Sequence, residues 1–341
     1  MTIRPHPARL LKLAAQGPFD YPTSLVGKTS DGLTSVYYDP SLGQPGLDLA
    51  EVLVAAGAKI NSDCAAFFGI PCQPVNLIIA NLGGNGSGLG GAYHYSCLFS
   101  TGGDLYVDAA NGNPEMDIGL YVAELVEAFM GAAARGWNCG GSGGESLSRV
   151  LAEIESGGPN GAMAPYVSAP SWDSANRPNW IDSDQGSDQD YPSIGCGLVY
   201  LSWMLSLGFT PAQITQAGEP SGTLASNYTA LTGKTTAWAD MTAALVGVKI
   251  ADDDPFGGIA AGGSQPAPTP PPVPPTPPSP PPPVPPSPPP PVPPAPPPPS
   301  PPAPPAPPTP PTPPAPTPAG WTKGTVIDAL TALVNVSTLP D

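Results

Sequence analysis

Apolar and polar positions alternate in two distinct rhythms along this chain, and the change between them marks out its elements. LTSVYYDPSL, Leu33 to Leu42, is rich in β-branched and aromatic residues and reads as a strand ended by Asp39-Pro40. In GLDLAEVLVAAGAKINSDCAAFFG the period changes to that of a helix, with Leu49, Val52, Leu53 and Ala56 on one side and Gly69 as a stop. PVNLIIANL, Pro74 to Leu82, is a nearly continuous apolar run of the kind found in a strand covered on both faces. GGAYHYSCLF and DLYVDAA read as two further strands. The stretch from Tyr121 to Glu155 then predicts a helix, a glycine-rich turn and a second helix. Val122, Leu125, Val126 and Phe129 recur at helical spacing, and Gly136 to Gly144 holds five glycines around Trp137 and Cys139. That composition suits a tight reversal against a packed aromatic side chain.

Beyond it, Ser156 to Ser193 is loop-rich, with Trp172, Trp180 and the acidic run WIDSDQGSDQDYPS. GCGLVYLSWMLSLGF is the most hydrophobic helix, started by Ser193 and stopped by Gly208. TPAQITQAG is a short helix with Pro211 in its first turn, and TLASNYTALTG and TAWADMTAALVGV predict two more. A mixed first half followed by a helical second half gives an α+β fold.

Proline sets the boundaries. Of 55 prolines, 37 fall between Pro266 and Pro318. That tract contains only Pro, Ala, Val, Thr and Ser, and so has nothing with which to form a core. It reads as an extended polyproline helix, up to about 160 Å if straight at about 3.1 Å per residue. The expected organisation is an N-terminal arm over 1–32, a globular domain over 33–255, a Gly/Pro-rich linker over 256–320 and a helical tail over 321–341. In the tail Val326, Ile327, Leu330, Leu333 and Val334 form one apolar face. Too short to be stable alone, it reads either as a docking peptide for an unknown partner or as the remnant of a second domain.

The net charge of −16, with Lys and Arg scattered singly, excludes a nucleic-acid surface. No segment is long and apolar enough for a transmembrane helix, and the first twenty residues lack the apolar core of a signal peptide. The low charged fraction is of a kind common in exported proteins. Five cysteines leave the redox compartment open.

The candidate chemistry lies in the helical pair, where Glu124 and Glu127 fall three apart on one face and Glu145 comes from the second helix. The strings AELVEAFM, GWNCGGSGGESLSRVLA and GCGLVYLSWMLSLGFTPAQI with LASNYTALTG resemble a family of uncharacterised, zincin-like bacterial proteins, over about Thr34 to Val248. The resemblance implies a twisted sheet against a backing helix, an edge strand, here GAYHYSCLF, along a peptide cleft, and an active-site helix behind it. His94 would then project at or near the cleft.

Zincins of the gluzincin type carry His-Glu-x-x-His on that helix and a glutamate ligand on the next. By this resemblance Glu124 takes the place of the general base, Glu145 of the third ligand, Glu127 of a replaced second histidine and Ala123 of an erased first. Carboxylates without histidine favour a hard cation such as calcium over zinc, or no metal. The reading that results is a degenerate, non-catalytic module that binds peptide or protein, or acts as a scaffold. The alternatives are a metal-dependent hydrolase using Glu124, Glu127, Glu145 and His94, and a surface or matrix protein. The plainer reading of Glu124 and Glu127 is a solvated helix face, and that of Glu145 is the closing residue of a Ser142 capping box.

Three other motifs compete. Asp182, Asp184, Asp188 and Asp190 alternate as in a calcium loop, or as in a solvated acidic loop. Cys196, between two glycines at a predicted helix start, reads as an activated thiolate or as a small residue at a helix contact. Gly86 to Gly91 has dinucleotide-type spacing, but strand-like Tyr93, His94 and Tyr95 follow where a helix is required, so no nucleotide is expected.

Overall fold

The computed structural model describes residues 19–83, 91–95, 97, 99, 103–109, 113–186 and 190–260. The proline tract, the tail, Gly86 to Gly90 and Asp188 lie outside the described residues. The fold is α+β, with a five-stranded mixed sheet and eight helices among those residues.

The strands are β1 (Ser24–Lys28), β2 (Thr34–Tyr38), β3 (Val75–Ala80), β4 (Ala92–His94) and β5 (Asp104–Asp108), in the spatial order β1-β2-β3-β5-β4. β2, β3 and β5 run parallel, while β1 and β4 are antiparallel at the two edges. Parallel neighbours need a crossover, and α1 (Gly43–Phe68) supplies the one from β2 to β3. It buries Leu49, Leu53, Ile60, Cys64 and Phe68 and ends at Gly69, whose φ of 68° is the left-handed conformation that glycine adopts without strain. The predicted strand end at Asp39 holds, because its carboxylate accepts a bond from Ser41 N at 2.8 Å and starts a 3-10 turn.

β1 lies inside the segment expected to be an arm, so the sheet begins before residue 33. Its burial is shallow and it lacks the alternation that identifies a strand, which is why its sequence reads as a loop. The chain just before it is also tied to the sheet. Phe19 and Tyr21 pack with Tyr37, Tyr93, Tyr95, Ile78 and Tyr106 on one face, and the hydroxyls of Tyr93 and Tyr95 donate to Asp20. Leu77, Ile79, Leu105 and Val107, one residue out of phase, face the helices.

α2 (Pro114–Ala133) starts with Asn113 as its cap, accepting from Glu115 N at 3.1 Å. It is buried on nearly every side between the sheet and α3 (Ser142–Glu155). The reversal between them is anchored as expected by Trp137, which is buried and donates from Nε1 to Thr215 O at 2.9 Å. The loop-rich segment contains a short α4 (Ala169–Ser174). α5 (Tyr191–Ser206) is buried over most of its surface and begins two residues before Ser193. α6 (Pro211–Gln216) and α7 (Leu224–Thr232) each open with a capping box, from Thr210 and Thr223, and α8 (Ala237–Ala244) follows. Among the described residues no helix is long and apolar enough to cross a membrane.

Candidate functional site

β4 has only three residues, yet it fixes the site, because successive side chains on a strand point to opposite faces. Tyr93 goes to the tyrosine cluster and His94 to the helix side. Glu124 and Glu127 rise to meet it from consecutive positions on one face of α2. His94 Nδ1 lies 2.7 Å from Glu124 Oε2, and His94 Nε2 lies 3.6 Å from Glu127 Oε2. The three side chains are only 9%, 11% and 10% exposed, so the solvated-face reading of the two glutamates does not hold. These residues turn inward because β4 offers them an imidazole partner that local sequence does not reveal.

α3 adds the third carboxylate. Glu145 interacts electrostatically with both Glu127 and His94, and Arg149 Nη2 stands 4.0 Å from Glu145 Oε2. The Arg149 guanidinium is steadied by Ser168 Oγ at 2.7 Å and Tyr166 O at 3.3 Å. The three glutamates therefore gather around one histidine, and a single arginine lies at their rim.

Their protonation follows from burial and crowding. Burial, then repulsion from Glu145 and Glu124, pushes the Glu127 carboxyl well above the ordinary range, against a hydrogen bond from Ser148 and the attraction of Arg149. For His94, burial acts to lower the pKa, but the hydrogen bond and charge of Glu124 outweigh it and the imidazole is raised overall.

The structure adds two residues that the sequence reading did not place here. Cys97 and Cys139 form a disulfide beside the imidazole, and Cys139 Sγ lies 3.5 Å from His94 Nε2. The available signal was His94-Tyr-Ser-Cys97, a histidine and a cysteine three apart, together with Cys139 in the turn that follows α2. Nothing in the sequence says that the turn returns to the edge strand.

Other expected features resolve differently. Glu145 closes no capping box. The cap of α3 is Gly141, and Ser142 Oγ donates at 2.9 Å to Asp184 Oδ1, which also accepts from Gly143 N at 2.8 Å. Asp184 thus serves as a distant cap, and Asp182 accepts from Asn179 at 2.6 Å. Asp190 precedes α5, where its carbonyl takes the amides of Ser193 and Ile194. Of the alternating carboxylates, Asp182 and Asp184 are held by protein donors on different partners, and Asp188 lies outside the described residues.

Cys196 sits in the second turn of α5 instead of at its start and is fully buried, and burial pushes its thiol up to about 12. The thiolate reading fails and the helix-contact reading holds. A Cβ at either flanking glycine would strike a neighbour, the backbone of Ser168 at Gly195 and the side chain of Ser146 at Gly197. A surface pocket bordered by Arg135, Trp137, Asp184, Glu219 and Asn227 is lined by none of the clustered residues.

Comparison with known proteins finds no matching family model, no matching curated protein and no matching solved structure.

Proposed function

We propose that this chain is a zincin-like, non-catalytic binding module that accepts an extended peptide along β4. The observation that carries this reading is the place taken by His94. It occupies the space among the glutamates, with one ring nitrogen on Glu124 and the other facing Glu127. Carboxylates that the zincin resemblance casts as catalytic groups are thereby engaged internally, and a carboxylate bonded to imidazole in a nearly closed site is poorly placed to activate water.

The same strand supplies the binding surface. Asp108 N donates to Gly91 O, which makes Gly91 and Asp108 a hydrogen-bonded pair. Such pairs alternate in an antiparallel ladder, so Tyr93 bonds to β5 while the N–H and C=O of Ala92 and His94 point away from it. β4 ends the sheet order, and main-chain groups pointing off a sheet edge are what an added strand pairs with.

The test uses the full chain and a library of unstructured peptides, scored for binding and for cleavage. Binding without cleavage is expected, with affinity lost in Ala92→Pro, which removes one outward N–H and leaves the bonds to β5 intact. Peptide hydrolysis abolished by Glu124→Gln would overturn the proposal in favour of a hydrolase. Binding unaffected by Ala92→Pro would remove β4 from it.

A further inference from the structure

The ligand set that the zincin resemblance implies is carboxylate-rich, but the atoms that meet at His94 are of another kind. His94, Cys97 and Cys139 each offer a ligand atom, and the three atoms lie within 4.8 Å of one another. Tetrahedral zinc, with bonds of about 2.3 Å to sulfur and about 2.0 Å to nitrogen or oxygen, keeps neighbouring ligand atoms about 3.3–3.8 Å apart. One edge of such a tetrahedron is already present, Nε2 to Cys139 Sγ at 3.5 Å. The edge between the two sulfurs is taken up by a covalent bond.

The surroundings of the histidine point the same way. Ligating histidines commonly give their other N–H to a carboxylate, which fixes the tautomer and turns the free lone pair toward the metal. Glu124, 2.7 Å from Nδ1, stands in that relation to His94.

We propose that the dithiol form of this site binds one zinc ion through His94 Nε2, Cys97 Sγ and Cys139 Sγ, and that the Cys97–Cys139 disulfide excludes it. Two thiolates and an imidazole form a softer donor set than the glutamates alone, which selects zinc over calcium. The redox step balances with a dithiol reductant. Its two electrons reduce the cystine to two thiols and it leaves as a disulfide, and zinc then displaces both thiol protons. Zinc binding and disulfide formation are thus mutually exclusive states of the same two sulfurs.

The site is tested on the full chain, without any peptide, by titrating cobalt(II) and displacing it with zinc, before and after reduction by a phosphine. The reduced chain should bind one equivalent of cobalt with thiolate-to-cobalt charge-transfer absorption and tetrahedral d–d bands, both removed by zinc. The oxidised chain should show neither. Cys139→Ser should lose about half of the charge-transfer intensity, and Glu124→Gln should weaken zinc about 10–100-fold with the spectrum retained.

Reduced protein that gives no thiolate–cobalt bands overturns the proposal, as does equal cobalt binding by the oxidised and reduced chains. If reduction unfolds the chain, saturating zinc should restore its near-ultraviolet circular dichroism, and failure to do so counts against the site. None of these outcomes depends on whether β4 binds peptide or the chain hydrolyses it.

Discussion

Asp117, one turn into α2, is fully buried, and neither of its carboxylate oxygens has a hydrogen-bond partner among the described residues. Burial, with repulsion from Asp108 added, raises its pKa from 3.8 to about 7. The group holds its proton more tightly folded than unfolded, so its contribution to stability is complete below pH about 4 and is lost as the pH rises toward 7. A gap of about three units corresponds to about 4 kcal/mol, reached at a slope of about 1.4 kcal/mol per pH unit.

Asp117→Asn keeps the volume and removes the titration. At pH 4 the acid and the amide are both neutral and comparably unsatisfied, so the two proteins should be about equally stable. At pH 8 the variant should be more stable by about 4 kcal/mol, the full linkage of the three-unit gap. Urea denaturation at the two pH values measures both differences, provided the m-value is unchanged. A stability difference that is the same at both would show that Asp117 titrates normally and would refute the reasoning.

Two further outcomes test the packing. Gly197→Val places a branched side chain where α5 passes Ser146, whose hydroxyl donates to Ile194 O at 2.8 Å and Ser142 O at 2.6 Å. Overpacking and the displaced hydroxyl should cost about 2–4 kcal/mol in urea denaturation, and wild-type stability would show that the helices do not meet there. Cys196 should resist a thiol-specific alkylating reagent in the native protein and react once the chain is denatured, as mass mapping would record. Rapid native labelling would contradict its burial.

The parts of this structure that depend on local periodicity were legible in advance. α1 shows its apolar stripe and its terminal Gly69, β3 its continuous apolar run, and α6 its proline in the first turn. The Trp137 anchor also followed from composition, since an aromatic residue among glycines has little reason to be exposed. The site was half legible. The spacing of Glu124, Glu127 and Glu145 placed them near one another, but their inward orientation comes from His94, a partner 30 residues upstream of Glu124.

Features made by distant pairs were not legible. Cys97 and Cys139 are two of five cysteines, and sequence alone leaves their pairing open. The Ser142 pattern looked like a self-contained cap because the competing acceptor, Asp184, lies 42 residues further along the chain. β1 escaped notice because half-exposed edge strands carry little hydrophobic signal.

The bonds from Asp184 to the first turn of α3 set two acidic regions of the protein against each other. The carboxylate that holds Ser142 and Gly143 belongs to the segment whose alternating aspartates look suited to a cation. An ion or basic ligand that binds through Asp184 Oδ1 competes with the donors of a helix start three residues before Glu145, while one that binds through Oδ2 does not. Only the first kind of occupant is coupled to the order of that helix, and linkage makes such a coupling mutual. The oxygen an occupant chooses therefore decides whether the frame of the buried cluster feels it.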